Sequence, residues 1–206
     1  LIKVYNVFIM NNFKKSFVFT VILLIIFIGF NYERAEAMDS GPCPGVPIVT
    51  YGGKTYNTVH IGTQCWFKEN LNIGTKVITG VWNSVLKRYS IVDQQNNNIL
   101  EKYCYQNLDV DCDIYGGYYQ WGEAVQYKNG ASNTSNWNPV PVGNIQGVCP
   151  VGWHIPRISE MQILSDYLGG SDIAGKKMKK IGIDSWDEQN IEATNYSGFT
   201  ALTSGF

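Results

Sequence analysis

The N-terminal segment decides how much of this 206-residue chain can fold and in which compartment it does so. After a plausible start at Met10 and two lysines, the apolar run from Phe17 to Phe30 is 14 residues long. A helix that spans a bilayer needs roughly 20 apolar residues, so this run is typical of a signal peptide rather than an anchor. Small residues in Ala35-Glu36-Ala37 suit a signal peptidase. We therefore expect residues 1–37, a signal peptide with upstream residues, to be removed and the mature chain to begin at Met38.

The charge and length of the remaining chain limit its partners. Without residues 1–37, 12 basic and 15 acidic side chains remain, a net charge of about −3. Such a chain has nothing to attract phosphate backbones, so we expect no nucleic-acid partner and contact with a membrane only through the leader. The remaining 169 residues are enough for one domain with a substantial core. We assign residues 38–45 to a linker and residues 46–206 to that domain.

Five cysteines in an exported chain predict disulfides, because the extracytoplasmic environment is oxidising. Cys104 and Cys112 lie eight residues apart around a polar turn, and Cys43 and Cys65 flank a predicted hairpin. In each pair the two cysteines are close enough in sequence to form a disulfide across a short loop. Cys149 is then left unpaired.

Apolar periodicity predicts short strands and two helices. Residues 47–63 alternate around Gly52-Gly53 and predict a β-hairpin, and residues 64–71 predict a strand that leaves into a loop. Residues 80–105 contain a polar Gln/Asn tract and predict a surface excursion. Residues 117–128 carry apolar side chains at helical intervals and predict the first helix, and a Ser/Asn/Pro-rich loop follows.

The second helix is predicted over residues 159–168. Its stripe of Ile158, Met161, Leu164 and Leu168 ends at a Gly-Gly pair, and we expect the last three of these side chains to be buried in one core with Trp153. Ser159 is the expected N-cap, with Gln162 as its partner in a capping box.

Three segments carry a resemblance to a known family. They are Tyr-Gly-Gly-Tyr-Tyr-Gln-Trp at 115–121, Gln-Gly-Val-Cys-Pro-Val-Gly-Trp-His-Ile-Pro at 146–156 and Ser-Gly-Phe-Thr-Ala-Leu at 197–202. With them, the chain resembles the Fibrobacter succinogenes major paralogous domain of secreted bacterial proteins.

The resemblance implies a fold and an explanation for the odd cysteine. The expected fold is α+β and C-type-lectin-like: two helices with short antiparallel strands and long loops, the C-terminal strands being missing. In the family a late Cys would pair with Cys149, so we interpret the domain as C-terminally incomplete. The fold is shared with relatives of formylglycine-generating enzymes, to which the His-Ile-Pro segment is also similar.

Candidate metal and catalytic residues are few. Asp109, Asp111 and Asp113 alternate like the start of a calcium loop, but Ile114 and Gln120 stand where that loop needs Gly and Glu, which favours a solvated acidic turn. His154 is expected to be packed and to donate to a backbone carbonyl, and His60 to be exposed. We assign no catalytic residue, metal or cofactor.

Exposed aromatic rings are the remaining candidates for ligand binding. Trp137, Trp186 and Tyr196 lie in polar loop contexts, where a large ring can stack on a sugar or simply anchor the loop to the core. The lysines at 176, 177, 179 and 180 are interpreted as a solvated face.

The expected function is a secreted, periplasmic or cell-surface module that binds polysaccharide or a surface protein without a metal. The alternative is an enzyme related to formylglycine-generating enzymes, whose catalytic residues lie in the missing C-terminal part.

Overall fold

A four-stranded antiparallel sheet lies at the centre of the molecule, in the order β1-β4-β3-β2. In the computed structural model, which describes residues 7–9, 41–85, 87–182 and 192–203, the strands are β1 (Val7–Ile9), β2 (Ile48–Tyr51), β3 (Lys54–Ile61) and β4 (Gln64–Phe67). Gly52 and Gly53 turn the chain between β2 and β3 with φ of 57° and 75°, which Gly adopts without strain. The predicted hairpin is thus confirmed. The predicted cleavage site and Trp186 lie outside the described residues.

Both faces of β3 and β4 are buried, because successive side chains of a strand point to opposite sides. On one side Val59 and Trp66 pack against Phe199 and against the helices described below. On the other side Tyr56 stacks on Phe67 with ring centroids 5.1 Å apart, and Trp153 packs on Phe67 at 4.2 Å. The expectation that Trp153 shares a core with Leu164 was therefore wrong, since the sheet separates the two side chains.

Within the described residues there are four α-helices rather than two. They are α1 (Asp109–Tyr115), α2 (Trp121–Ala124), α3 (Ile158–Tyr167) and α4 (Ser171–Met178). The helix predicted over 117–128 is a single turn, α2, because Gln126 and Tyr127 take positive φ directly after it. The acidic segment that was expected to form a turn is helix α1.

Helix α3 confirms the second predicted helix and corrects its details. Leu164 and Leu168 are buried as expected, but Met161 is 38% exposed, because the buried stripe is narrow and begins at Glu160. The N-cap is Arg157 rather than Ser159, since the Glu160 carboxylate accepts the Arg157 backbone N–H at 2.8 Å. The capping box thus begins two residues earlier than predicted.

The predicted surface excursion of residues 80–105 is partly built into the fold. Strand β5 (Thr75–Lys76) precedes it, and β6 (Gly80–Asn83) and β7 (Arg88–Ile91) form an antiparallel hairpin within it. Near its end, β8 (Glu101–Lys102) pairs in parallel with β5. Gln94 and Glu101 are buried. Their side chains bind neighbouring backbone: Gln94 donates to the Tyr118 carbonyl and Glu101 accepts from the Gln95 N–H.

Two disulfides close the loops that the sequence predicts. Cys43 pairs with Cys65 and Cys104 with Cys112, with Cα atoms 5.7 and 4.9 Å apart. Disulfides form and persist in oxidising environments. In the part of the chain that the structure describes, no helix is both long enough and apolar enough to cross a membrane.

Candidate functional site

An apolar groove of about 560 Å³ opens between helix α2, the loop that follows it and the start of helix α3. We call it the tryptophan groove. It is lined by Trp121, Trp137, Val140, Pro141, Gly143, Ile145, Ile155, Pro156, Arg157 and Ile158. Ligand pockets commonly measure about 300–1,000 Å³ and are lined mainly by apolar and aromatic side chains with few polar groups. The groove has both properties.

Two tryptophan rings form one wall of the groove. Trp121 opens helix α2, Trp137 comes from the loop, and their rings meet edge to face with centroids 4.6 Å apart and an interplanar angle of 67°. Edge-to-face contact is a favoured arrangement of aromatic rings, so each ring fixes the other. Both rings are half-buried. The wall is therefore ordered but still accessible to a ligand.

Hydrogen bonds hold the loop that carries Trp137. The Asn138 backbone N–H donates to the Asn129 carbonyl at 2.8 Å, and the Asn129 side chain donates to the Pro139 carbonyl at 2.8 Å. The Asn138–Pro139 peptide bond is cis. The buried indole N–H of Trp121 has no hydrogen-bond partner among the described residues.

The rim of the groove exposes large apolar side chains. Val140 and Ile158, which line it, are exposed by 70% and 90%. Contiguous exposed apolar surface is a property of interaction sites. Arg157 is the only charged side chain among the lining residues of the groove.

A buried hydrogen bond between His154 and Glu160 supports the groove from behind. His154 Nε2 lies 2.9 Å from Glu160 Oε1, and both side chains are buried. The same carboxylate caps helix α3 through the Arg157 N–H, and Asn144 contacts His154 Nδ1 at 3.3 Å. His154 thus binds a carboxylate rather than the backbone carbonyl expected from the sequence. Because it is buried, it acts as a support and cannot reach a ligand.

Tyr196, the other predicted ring that the structure describes, lies apart from the groove. Tyr196 is 51% exposed and is not among the groove's lining residues; the Lys177 ammonium lies 5.8 Å from its ring centroid. Lys176 forms an ion pair with Glu192, so the lysine face is partly paired. The structure therefore joins Trp137 to Trp121 and not to Tyr196. Trp121 belongs to the first predicted helix, and no spacing in the sequence links the two tryptophans.

Cys149 is a free cysteine in the core on the loop side of the sheet. It is fully buried, and burial raises the pKa of its thiol well above the usual range. A buried, protonated thiol is a poor nucleophile. The residue accordingly has a packing role in this structure.

The alternating aspartates lie on helix α1 and face lysines. Lys76 binds Asp109 at 2.7 Å and Lys54 binds Asp113 at 2.6 Å. The Lys54 ammonium lowers the pKa of Asp113. His60, expected to be exposed, is half-buried on β3. Over the described ranges, the structure gathers no group of three or more His, Cys, Asp or Glu side chains that could hold a metal ion.

Comparison with known proteins identifies the family. No curated protein and no solved structure matches the chain. The family model of the Fibrobacter succinogenes major domain matches residues 59–206, which include β4, the segment at 146–156 and helices α1 to α4. This match covers more than half of the chain. The chain therefore belongs to the Fibrobacter succinogenes major domain family.

Proposed function

We propose that this protein is an extracytoplasmic, non-catalytic binding module that holds polysaccharide in the tryptophan groove without a metal ion. The observation that carries the proposal is the pair of Trp121 and Trp137, packed edge to face at the wall of an open groove of about 560 Å³. The apolar C–H face of a sugar ring packs on an aromatic ring, and its hydroxyls bind nearby polar groups. Such stacking needs no cation.

The chemistry around the groove favours a binding site over an active site. A nucleophile and a base within hydrogen-bond reach are the signature of covalent catalysis. The Cys149 thiol and the His154 ring are both buried, so neither can serve a ligand in the groove. The enzymatic alternative thus draws no support from these two residues.

The architecture and the disulfides support the rest of the proposal. An antiparallel sheet with helices α3 and α4 on one face and long loops on the other is consistent with a C-type-lectin-like fold. Two disulfides favour an oxidising compartment outside the cytoplasm. In that compartment a surface polysaccharide is an available ligand.

A polysaccharide array probed with and without a chelator tests the proposal. We expect binding that the chelator does not change and that Trp137→Ala reduces by about five- to 150-fold, which corresponds to the roughly 1–3 kcal/mol that stacking of a planar base on one aromatic ring contributes. Tyr196→Ala removes an exposed ring elsewhere and serves as the matched control, with binding unchanged.

Three outcomes would contradict the proposal. Binding abolished by the chelator would demonstrate a metal site instead. Full binding by Trp137→Ala would exclude the groove. Retention of a surface protein by a chain that binds no polysaccharide would assign the groove to a protein partner. Near-ultraviolet circular dichroism of each variant checks that the fold is kept.

A further inference from the structure

A second cavity, of about 480 Å³, is polar and lies against strand β3, helix α1 and the C-terminal segment. We call it the lysine cavity. Its charged lining residues are Lys54, Lys68, Glu69, Asp113 and Lys180. Its residues differ entirely from those of the tryptophan groove.

Both carboxylates of the lysine cavity are already bound to the protein. Glu69 accepts the Asn57 backbone N–H at 2.6 Å and the Asn57 side-chain amide at 2.8 Å. Asp113 accepts from Lys54 at 2.6 Å and from Asn72 at 3.0 Å. These bonds neutralise Lys54 and leave little acceptor capacity for a cationic ligand.

Two further ammonium groups line the cavity, those of Lys68 and Lys180. Among the described residues, neither Lys68 nor Lys180 forms an ion pair with a carboxylate. Behind them Lys102 donates to the Asn72 side chain, and burial, followed by repulsion from Lys54, lowers the pKa of Lys102. The lining holds three lysines against the two carboxylates of Glu69 and Asp113, so it carries one net positive charge in a chain whose net charge is −1.

We infer that the lysine cavity binds a sugar that carries a carboxylate, such as a uronic acid residue of an anionic polysaccharide. The ammonium groups of Lys68 and Lys180 pair with the carboxylate, and the Thr55 hydroxyl at the lining is a partner for a sugar hydroxyl. A cavity of about 480 Å³ is within the size range of sites for small ligands. This inference stands apart from the proposed function, because it concerns another cavity and another ligand charge.

Calorimetric titration with galacturonate, galactose and sulfate tests the inference. We expect galacturonate to bind, galactose, which has the same ring without the carboxylate, to bind at least about tenfold more weakly, and sulfate to compete poorly. Galacturonate binding should weaken between about 0.05 and 0.3 M NaCl, because salt screens charge pairs near the surface.

Variants locate the site. Lys68→Gln with Lys180→Gln should weaken galacturonate binding at least about tenfold. Lys128→Gln, an exposed lysine outside both cavities, should leave it unchanged. Trp137→Ala should also leave it unchanged, so failure at this cavity and failure at the tryptophan groove are distinguishable.

Three results would overturn the inference. Equal affinity for galactose and galacturonate would remove the role of the carboxylate. Sulfate that binds as tightly as galacturonate would make the cavity a general anion site rather than a sugar site. Unchanged binding by the double lysine variant would place the ligand elsewhere.

Discussion

The two faces of the central sheet are buried by different means. On the helix face, Trp66 and Val59 meet Leu164, Leu168 and Phe199, all apolar or aromatic side chains. On the loop face, aromatic stacking is combined with a disulfide and with tyrosine hydroxyls that bind backbone. Loops lack the regular ladder that satisfies backbone N–H and C=O groups, so these groups need side-chain partners when buried. Stability on the helix face therefore depends on how much apolar side-chain volume is buried there. On the loop face it depends on hydrogen bonds from side chains to the buried backbone groups.

Loss of apolar volume on the helix face should have the largest effect. Leu164→Ala removes most of a fully buried side chain and leaves a cavity between α3 and the sheet. We expect the free energy of unfolding to fall by about 2–5 kcal/mol. Ile163→Ala, a half-exposed neighbour on the same helix, is the control and should change it by less than about 0.5 kcal/mol. Denaturant unfolding measures both, and equal losses would contradict the assigned core face.

Loss of one hydroxyl on the loop face should have the next largest effect. Tyr119 accepts the Ile73 N–H at 2.9 Å and donates to the Ile73 carbonyl at 2.8 Å. Tyr119→Phe keeps the ring but leaves both backbone groups unpaired, so we expect a loss of roughly 1–3 kcal/mol. Tyr105→Phe, at an exposed ring, is the matched control. If Tyr119→Phe left the free energy of unfolding unchanged, these hydrogen bonds would not stabilise the loop face.

The comparison of the two faces also explains which parts of the fold the sequence could predict. The β2–β3 hairpin is predicted by the alternation of apolar and polar side chains, and helix α3 is predicted by the spacing of Leu164 and Leu168. Each pattern is the one that a buried face of that element requires. Helix α1 has no such signal, since Val110 and Ile114 are exposed and Asp109 and Asp113 bind lysines. Its existence follows from tertiary ion pairs and a disulfide.

The candidate site was harder to predict than the fold. The loop context of Trp137 predicts an accessible ring, but its contact with Trp121 depends on the path of the 15 residues between them. That path is set by bonds such as Asn129 to Pro139, which leave no periodic trace in the sequence. The lysine cavity joins residues from β3, α1 and the C-terminal segment. Only the folded chain brings these residues together.

A smaller, pH-dependent effect should distinguish buried from exposed carboxylates. Glu123 is buried and accepts the Glu101 N–H at 3.0 Å, and burial raises the pKa of Glu123. A carboxyl with a raised folded-state pKa contributes stability that is complete below its unfolded pKa and is lost as pH rises through its folded pKa. Glu123→Gln should therefore become more stable relative to the unmodified chain as pH rises above 4.5, the ordinary pKa of this carboxyl, and through its raised folded-state pKa.

Asp113 is the control, because its contribution to stability should change with pH in the opposite direction. Lys54 lowers its pKa, so its contribution is present above the unfolded pKa of 3.8 and is lost as pH falls through the folded pKa. Asp113→Asn should thus lose stability relative to the unmodified chain as pH rises. Thermal unfolding measures the Asp113 trend below pH 3.8 and the Glu123 trend above pH 4.5, and slopes of the same sign would contradict the assignment.

The smallest expected effect concerns the edge of the sheet rather than either face. Strand β1 pairs with β4 through Val7, Phe8 and Ile9, which belong to the segment that the sequence predicts to be removed on export. The disulfides, β2 to β4 and both core clusters lie after Met38, so a chain that begins there should keep the unfolding transition of the full chain to within a few degrees. N-terminal sequencing of exported protein tests the predicted cleavage. Thermal unfolding of residues 38–206 tests whether the fold is stable without β1. An exported chain that still begins at Met10 would contradict the predicted cleavage. A shortened chain without a cooperative transition would show that β1 belongs to the stable fold.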